Sequence, residues 1–442
     1  MNPIAQELNE TIQNANPTIY DMLSRKGRNL YFPKGILSQS AEAKEKATKY
    51  NATIGIATEN GVPMHLASVM SYIRLAPDQS LSYAPSFGLL NLRRTWQEHM
   101  VRKNPSVVGK AISLPIVTNA ITHGLSVTAD MWIEENDVII LPDKIWGNYL
   151  LIFTVLHGAD IKQYPLFTSE GGFNLSAFEA RLRKEARNRD KVVILLNFPN
   201  NPTGYTPTVS EAQRIVEIVA DLAQGGKNVL VITDDAYFGL FYDAQSIRES
   251  LFSLLAGIHQ RIMAIKLDAA TKENYVWGLR VGFITYGTVF KGSPKHAYDA
   301  LEKKTAGAVR GTISNSPHLS QSIILGSLNS ENYQTEKEEK FRIMRNRANR
   351  VKEVLTDEKY GDAWDVYPFN SGYFMCLRLK TVNAEELRLH LLNTYGVGVI
   401  SLGETDIRVA FSCVEEDNIP ELFDIIFQGI RDLERERVAM QS

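Results

Sequence analysis

"KVVILLN" at 191–197 and "NVLVITD" at 228–234 decide the fold. Each is a short, β-branched apolar run closed by a polar residue, which fits a buried strand better than a helix. Between them lies "TVSEAQRIVEIVADLA" (208–223). There Ile215, Ile218, Val219 and Leu222 recur on one helical face, and Thr208 with Glu211 reads as a capping box. The alternation continues outward. "SLPIVT" (113–118) and "DVIILP" (137–142) precede this unit, and "RIMAIKLD" (261–268) and "VGFITYG" (281–287) follow it. Alternating β and α segments predict an α/β fold, a mostly parallel sheet covered on both faces.

The C-terminal part reads differently, with a long charged helix at 332–357, strands near 372–379 and 406–411, and a closing helix near 415–435. A chain of 442 residues exceeds what one hydrophobic core usually serves. The expected division is a large α/β domain at 76–310 and a smaller α+β domain built from 1–75 and 311–442. Net charge is −2, so the totals favour neither nucleic acid nor an anionic membrane as partner. The two cysteines, Cys376 and Cys413, make no disulfide framework, and no CxxC or HExxH string points to a metal. No run approaches the roughly 18 apolar residues of a membrane span. The N-terminal "MNPIAQELNETIQNANPTIYDMLS" lacks a signal-peptide core. A cytoplasmic protein is expected.

In open α/β sheets ligands gather beyond the carboxyl ends of the strands. "NAITHGLSVTADMW" follows 113–118 and enters a helix whose first N–H groups suit a phosphate. "DKIWGNY", "FPNNPTGYTPT", "DDAYFGLFY" and "DAATKENYVWGLR" follow the next four strands. Singly, each has an ordinary reading: "NNPTG" is a turn, a strand-end acid is a helix cap, a loop lysine is a solvated charge. Together they bring an aromatic ring, an amide, a carboxylate near a tyrosine, a lysine and an arginine to one sheet edge. That set suits a cofactor with an aromatic face, a ring nitrogen, a phenolic oxygen, an aldehyde and a phosphate. Pyridoxal 5′-phosphate has all five.

From about residue 54 to 411 the chain resembles the class I aminotransferases of fold type I, the aspartate aminotransferase-like pyridoxal-phosphate enzymes. "NNPTG", then "DDAY", then a lysine with an arginine eight residues on carry the resemblance. It implies that Lys272 forms the Schiff base, and that Asp234 pairs with the pyridinium nitrogen. Tyr237 and Asn201 match the groups bonded to the phenolic oxygen, and Trp146 the residue stacked on the ring. Arg280 matches the phosphate-binding arginine, with Ile121 and Thr122 at the helix start. Tyr83 matches a tyrosine reaching the neighbouring subunit's phosphate. Arg408 resembles the clamp on the substrate α-carboxylate, and Gly55 the glycine lining the substrate side. Arg310, in "AVRGTISNSP" with Asn315, resembles the arginine that binds a side-chain carboxylate across a dimer interface.

The resemblance therefore implies a homodimer with shared sites. It would transfer an amino group from aspartate, or another dicarboxylic or aromatic amino acid, to 2-oxoglutarate. Two departures stand out. Ala269 replaces a serine common three residues before the lysine, and Ala120 and Ile121 replace glycines common at the helix start. Fold type I also hosts C–S lyases, decarboxylases and cyclopropane-forming synthases, and a non-catalytic sensor domain of transcription regulators. Such regulators carry a winged-helix domain ahead, for which about 50 residues are too few.

Overall fold

The computed structural model describes residues 1–33 and 35–441. Its main sheet has seven strands: β1 (Ile116–Asn119), β2 (Val138–Pro142), β3 (Asp160–Tyr164), β4 (Lys191–Asn197), β5 (Asn228–Asp234), β6 (Ile262–Ala269) and β7 (Val281–Gly287). Their spatial order is β1-β7-β6-β5-β4-β2-β3. Only β7 runs against its neighbours, so the sheet is mostly parallel as expected. Along β4, Val193 and Leu195 join one core while Val192, Ile194 and Leu196 join the other. Side chains alternate across a strand, and a sheet buried on both faces needs apolar residues at every position. That is why "KVVILLN" reads as a continuous apolar run.

Two strand expectations need correction. β1 begins at Ile116, not at 113, because Pro115 has no N–H to give the ladder. The edge strand β3, "DIKQY", has no counterpart in the expectations. The helix after β4 spans Val209–Gln224 (α4 below), and both bonds of its capping box form: Glu211 N–H to Thr208 Oγ1 at 3.2 Å and Thr208 N–H to Glu211 Oε2 at 2.7 Å.

Six further helices are α1 (Ile36–Lys46), α2 (Leu90–Lys103), α3 (Ala120–Trp132), α5 (Pro294–Thr312), α6 (Tyr333–Val354) and α7 (Ile419–Gln441). The long charged helix thus stops at 354 instead of 357. The closing helix starts at 419, after a 3-10 turn at Glu416–Asn418, and runs to 441.

A second, antiparallel sheet has the order β8 (Trp364–Val366), β9 (Phe374–Leu379), β11 (Asp406–Ala410), β10 (Ile400–Leu402). Two of its four strands, β8 and β10, were not expected. Tyr50–Asn51 pairs in parallel with Val397–Gly398, and Ala410 N–H donates to Ala52 O. Arg25, by contrast, pairs with Glu135 beside the main sheet.

The junction of β1 with α3 is tight. A Cβ on Gly282 of β7 would come within 2.6 Å of the Ala120 carbonyl carbon, so only glycine fits there. Ala120 itself has φ +60, a left-handed conformation that costs an L-residue about 1–2 kcal/mol. Ala120→Gly should therefore stabilise the fold by about 0.5–1 kcal/mol, after the greater freedom of an unfolded glycine is subtracted. Denaturant unfolding of the two proteins checks this, and an unchanged or lower midpoint contradicts it.

Candidate active site

Because β1, β2, β4, β5 and β6 run parallel and β7 antiparallel, five carboxyl ends and the start of β7 share one edge. A cavity of about 230 Å³ opens there. After β1 it is lined by Ala120, Ile121 and Thr122, at the first turn of α3. Trp146 and Tyr149 line it after β2, Asn197 and Asn201 at the end of β4 and just beyond. Asp234 and Tyr237 come from β5 and the turn after it, and Ala269, Thr271 and Lys272 from β6 and the turn after it. Arg280 enters from the residue before β7. Gly55, Phe374 and Arg408 close the cavity from the side of the second sheet.

Asp234 is only 3 % exposed. Its Oδ2 accepts from the Tyr149 hydroxyl at 2.6 Å and its Oδ1 from the Ala236 N–H at 3.1 Å. Burial pushes this carboxyl up from the ordinary range, and the Tyr149 bond and the Lys272 charge offset only part of that. Lys272 lies with its Nζ 4.8 Å from the Tyr237 ring centroid. Burial holds its amine down to about 8; Asp234 opposes the shift and Arg280 adds to it. Burial likewise raises the Tyr237 phenol, with Arg408 lowering and Asp234 raising it further. The Trp146 ring meets Tyr149 edge-on, with centroids 5.5 Å apart.

Arg408, on β11, is 2 % exposed. Its Nη1 donates to Asn201 Oδ1 at 3.0 Å and its Nη2 to Thr53 O at 2.7 Å, while Nε has no partner. Its guanidinium lies 4.1 Å from the Phe374 ring centroid. Among the described residues no carboxylate pairs with it. A buried cation without an anion is costly, and such a site is completed by an anionic ligand. Arg280 is the second guanidinium at the cavity, and among the described residues only the Trp277 carbonyl accepts from it, at 3.3 Å. Thr271, also at the cavity, carries a buried hydroxyl with no partner among the described residues. The cavity thus offers one guanidinium at each of two places, a free hydroxyl, a carboxylate, an amine and a flat ring.

Sequence reasoning missed several lining residues. Tyr149 was legible as the tyrosine three residues after Trp146 in "WGNY". Thr271 stands directly before Lys272 and offers a hydroxyl near the position where Ala269 has none. Phe374 and Ile36 gave no signal, since their segments meet the cavity only through the tertiary fold. Two expected residues do not line it. Tyr83 is 91 % exposed, and Arg310, in the last turn of α5, donates to Ser314 Oγ at 2.7 Å. The nearby Asn315 amide donates to Ser316 O.

The profile of aminotransferase class I and II matches residues 59–426. An aspartate aminotransferase of Sulfurisphaera tokodaii is 24 % identical over 397 residues, covering 86 % of this chain and 91 % of that one. A probable N-acetyl-LL-diaminopimelate aminotransferase of Bacillus subtilis is 24 % identical, with 82 % and 84 % covered. An aminotransferase of Anaerococcus prevotii superposes with a TM-score of 0.80 at 22 % identity, over 93 % of this chain and 99 % of that one. Among the described residues no helix is long and apolar enough to cross a membrane. With the motif order, the sheet edge and a profile spanning most of its length in agreement, the chain belongs to the class I and II aminotransferases and is a transaminase.

Proposed function

We propose that this aminotransferase uses pyridoxal 5′-phosphate held by the cavity residues named above, and takes aspartate or another dicarboxylic or aromatic amino acid as donor with 2-oxoglutarate as acceptor. The observation that carries the reading is Arg408, a buried guanidinium with no carboxylate of its own, facing the same cavity as Lys272 and Asp234. The donor set fits the cofactor. Arg280, the free Thr271 hydroxyl and the first N–H groups of α3 suit its phosphate, and the loss of serine at Ala269 leaves that set intact. Asp234 suits the ring nitrogen, Asn201 and Tyr237 the phenolic oxygen, and Trp146 the ring face. When bound, the cofactor supplies an electron sink that makes the α-proton of an amino acid removable.

The chain's own residues do the rest. Arg408 grips the substrate α-carboxylate with a planar fork that a lysine lacks, and Asn201, already bonded to it, orients that fork. Gly55 lines the substrate side, where an added Cβ would come into contact with Phe374 and the Tyr237 hydroxyl, at 3.4 Å from each. The Lys272 amine, with its proton affinity lowered to about 8, is suited to take a proton from the substrate Cα and return it nearby. Ile121 and Phe374 add apolar surface to the cavity wall.

The acceptor, the donor class and the dimer go together in this reading. Tyr83 is fully presented to solvent, and Leu81, Met70 and Ile73 are exposed near it in sequence, as a subunit contact would use them. In a homodimer Tyr83 and Arg310 would complete the neighbouring site, Arg310 meeting a side-chain carboxylate. We further propose a cytoplasmic location and the division into 76–310 and 1–75 with 311–442; the pairing of Tyr50–Asn51 with Val397–Gly398 supports the latter.

Half-reaction rates across a panel of amino acids test the substrate. Aspartate or glutamate is expected to lead, and Arg310→Ala should raise KM for dicarboxylic donors about 10- to 100-fold while sparing aromatic ones. Equal losses for both classes, or a donor without a second carboxylate in the lead, overturn the dicarboxylic assignment. Ammonia and pyruvate as products, instead of a keto acid and glutamate, would assign a C–S lyase.

A further inference from the structure

Trp146 and Arg408 reach the cavity from two sheets that share no strand ladder. Within each sheet hydrogen-bonded pairing sets positions. Between them the backbone touches chiefly where the turn at Gly204 and the bridge at Phe241 meet residues 370–374. Side chains also bridge the span. Lys144 Nζ pairs with Asp406 Oδ2 at 2.6 Å. The Tyr367 hydroxyl donates toward both Asp406 oxygens at 3.1 Å, and Thr405 Oγ1 reaches Oδ1 at 3.0 Å. The Lys144 ammonium also lies 4.8 Å from the Tyr367 ring centroid. Asn200, in the "NNPTG" turn, donates its side-chain N–H to the Lys144 carbonyl at 3.1 Å.

The spacing along the chain matters more than the pair alone. Lys144 stands two residues before Trp146, and Asp406 two residues before Arg408 on the same face of β11. Neither Lys144 nor Asp406 lines the cavity. Lys144 and Tyr367 instead line a separate open cleft. The pair is largely withdrawn from solvent, with side-chain exposures of 23 % and 8 %, so water screens it less than a surface bridge. Burial opposes the Lys144 charge, and the bond and charge of Asp406 more than offset it, raising the amine above its ordinary value.

We propose that Lys144 and Asp406 are positioning residues: their ion pair sets the distance between the Trp146 platform and the Arg408 fork, and so the affinity for the substrate carboxylate. The proposal rests on the roles given to Trp146 and Arg408 above. It separates binding from chemistry, because neither Lys272 nor Asp234 touches this pair.

The test uses the full-length enzyme with Lys144→Met, Asp406→Asn, the double variant and Lys144→Arg. Each single neutralisation should raise KM for the amino donor about tenfold and change kcat less than about threefold. Lys144→Arg should return KM to within about threefold of the unaltered value, and the double variant should be no worse than the poorer single. Independently of turnover, amide hydrogen exchange in the segment around Trp146 should quicken in Asp406→Asn, although no residue of that loop is altered. A fall in kcat at constant KM, additive losses in the double variant, or unchanged exchange around Trp146 overturns the proposal. Absence of a borohydride-fixed cofactor adduct on Lys272 of the unaltered enzyme overturns the cofactor reading beneath it. A retained adduct with an unshifted KM overturns this proposal alone.

Discussion

Lys272→Ala is expected to lower transamination by about 10³-fold or more, at the strong end of what a positioned proton carrier contributes. Lys272 sits in a four-residue helical turn after β6, with its amine turned to the cavity and Asp234 and Arg280 as its charged neighbours. Removing a cavity-facing side chain leaves the packed cores intact, so the variant should fold with a thermal midpoint near that of the unaltered protein. Borohydride treatment should then leave a mass-detectable cofactor adduct on position 272 in the unaltered enzyme and none in the variant. A pH dependence accompanies this. Burial lowers the amine to about 8, so the nucleophilic, uncharged form grows as pH rises through that value and disappears below it. Capture of added cofactor by the stripped enzyme should therefore accelerate from pH 7 to 9. A Lys272→Ala enzyme retaining more than a tenth of its turnover contradicts the assignment, as does capture that slows over that range.

The strands that read clearly from sequence are those with one physical environment along their length. β4, β5 and β7 match their expected bounds because both faces are buried and the β-branched runs end where polar groups emerge at the sheet edge. β3 was invisible because it is an edge strand: Asp160, Ile161, Lys162 and Gln163 are exposed or half-buried, and their polarity mimics a loop. The closing helix outran its expected end because the exposed residues "RERVA" (435–439) include good helix formers, which extend the helix without a buried face. The site divides in the same way. Residues at or just beyond a strand's carboxyl end, and the one leading into β7, are brought to the cavity by topology alone, so Trp146, Asn201, Asp234, Tyr237, Lys272 and Arg280 were legible once a parallel sheet was inferred. Phe374 and Ile36 belong to segments whose approach depends on how the second sheet and α1 dock. No local pattern encodes that. Tyr83 and Arg310 stand outside the cavity of a single chain, and only a partner subunit could give them the proposed work.

Asp234→Asn should separate binding from chemistry most sharply. The amide is isosteric and packs in the same space; Tyr149 and the Ala236 N–H reach different carboxylate oxygens, so the one amide oxygen keeps one of those bonds and the amide nitrogen faces the other partner. What it loses is charge. A carboxylate this deeply buried, its pKa already raised by desolvation, stays ionised only beside a cation, and Lys272 is the nearby one that the chain itself supplies. A protonated ring nitrogen would be the second, and an anion at that distance raises the proton affinity of the nitrogen in turn. Removing the negative charge therefore weakens the site where charge develops in the reaction, at a cost of about 10²- to 10³-fold in kcat. Retention of the cofactor should fall far less, because in the proposed site Arg280, Thr271 and the start of α3 would hold the phosphate without help from Asp234. Turnover and cofactor content after dialysis read the two effects separately, and Tyr149→Phe should show a smaller loss of about tenfold, since it removes one hydrogen bond to a charge and leaves the charge. If Asp234→Asn instead loses cofactor in proportion to activity, the carboxylate is an anchor and its electronic role fails.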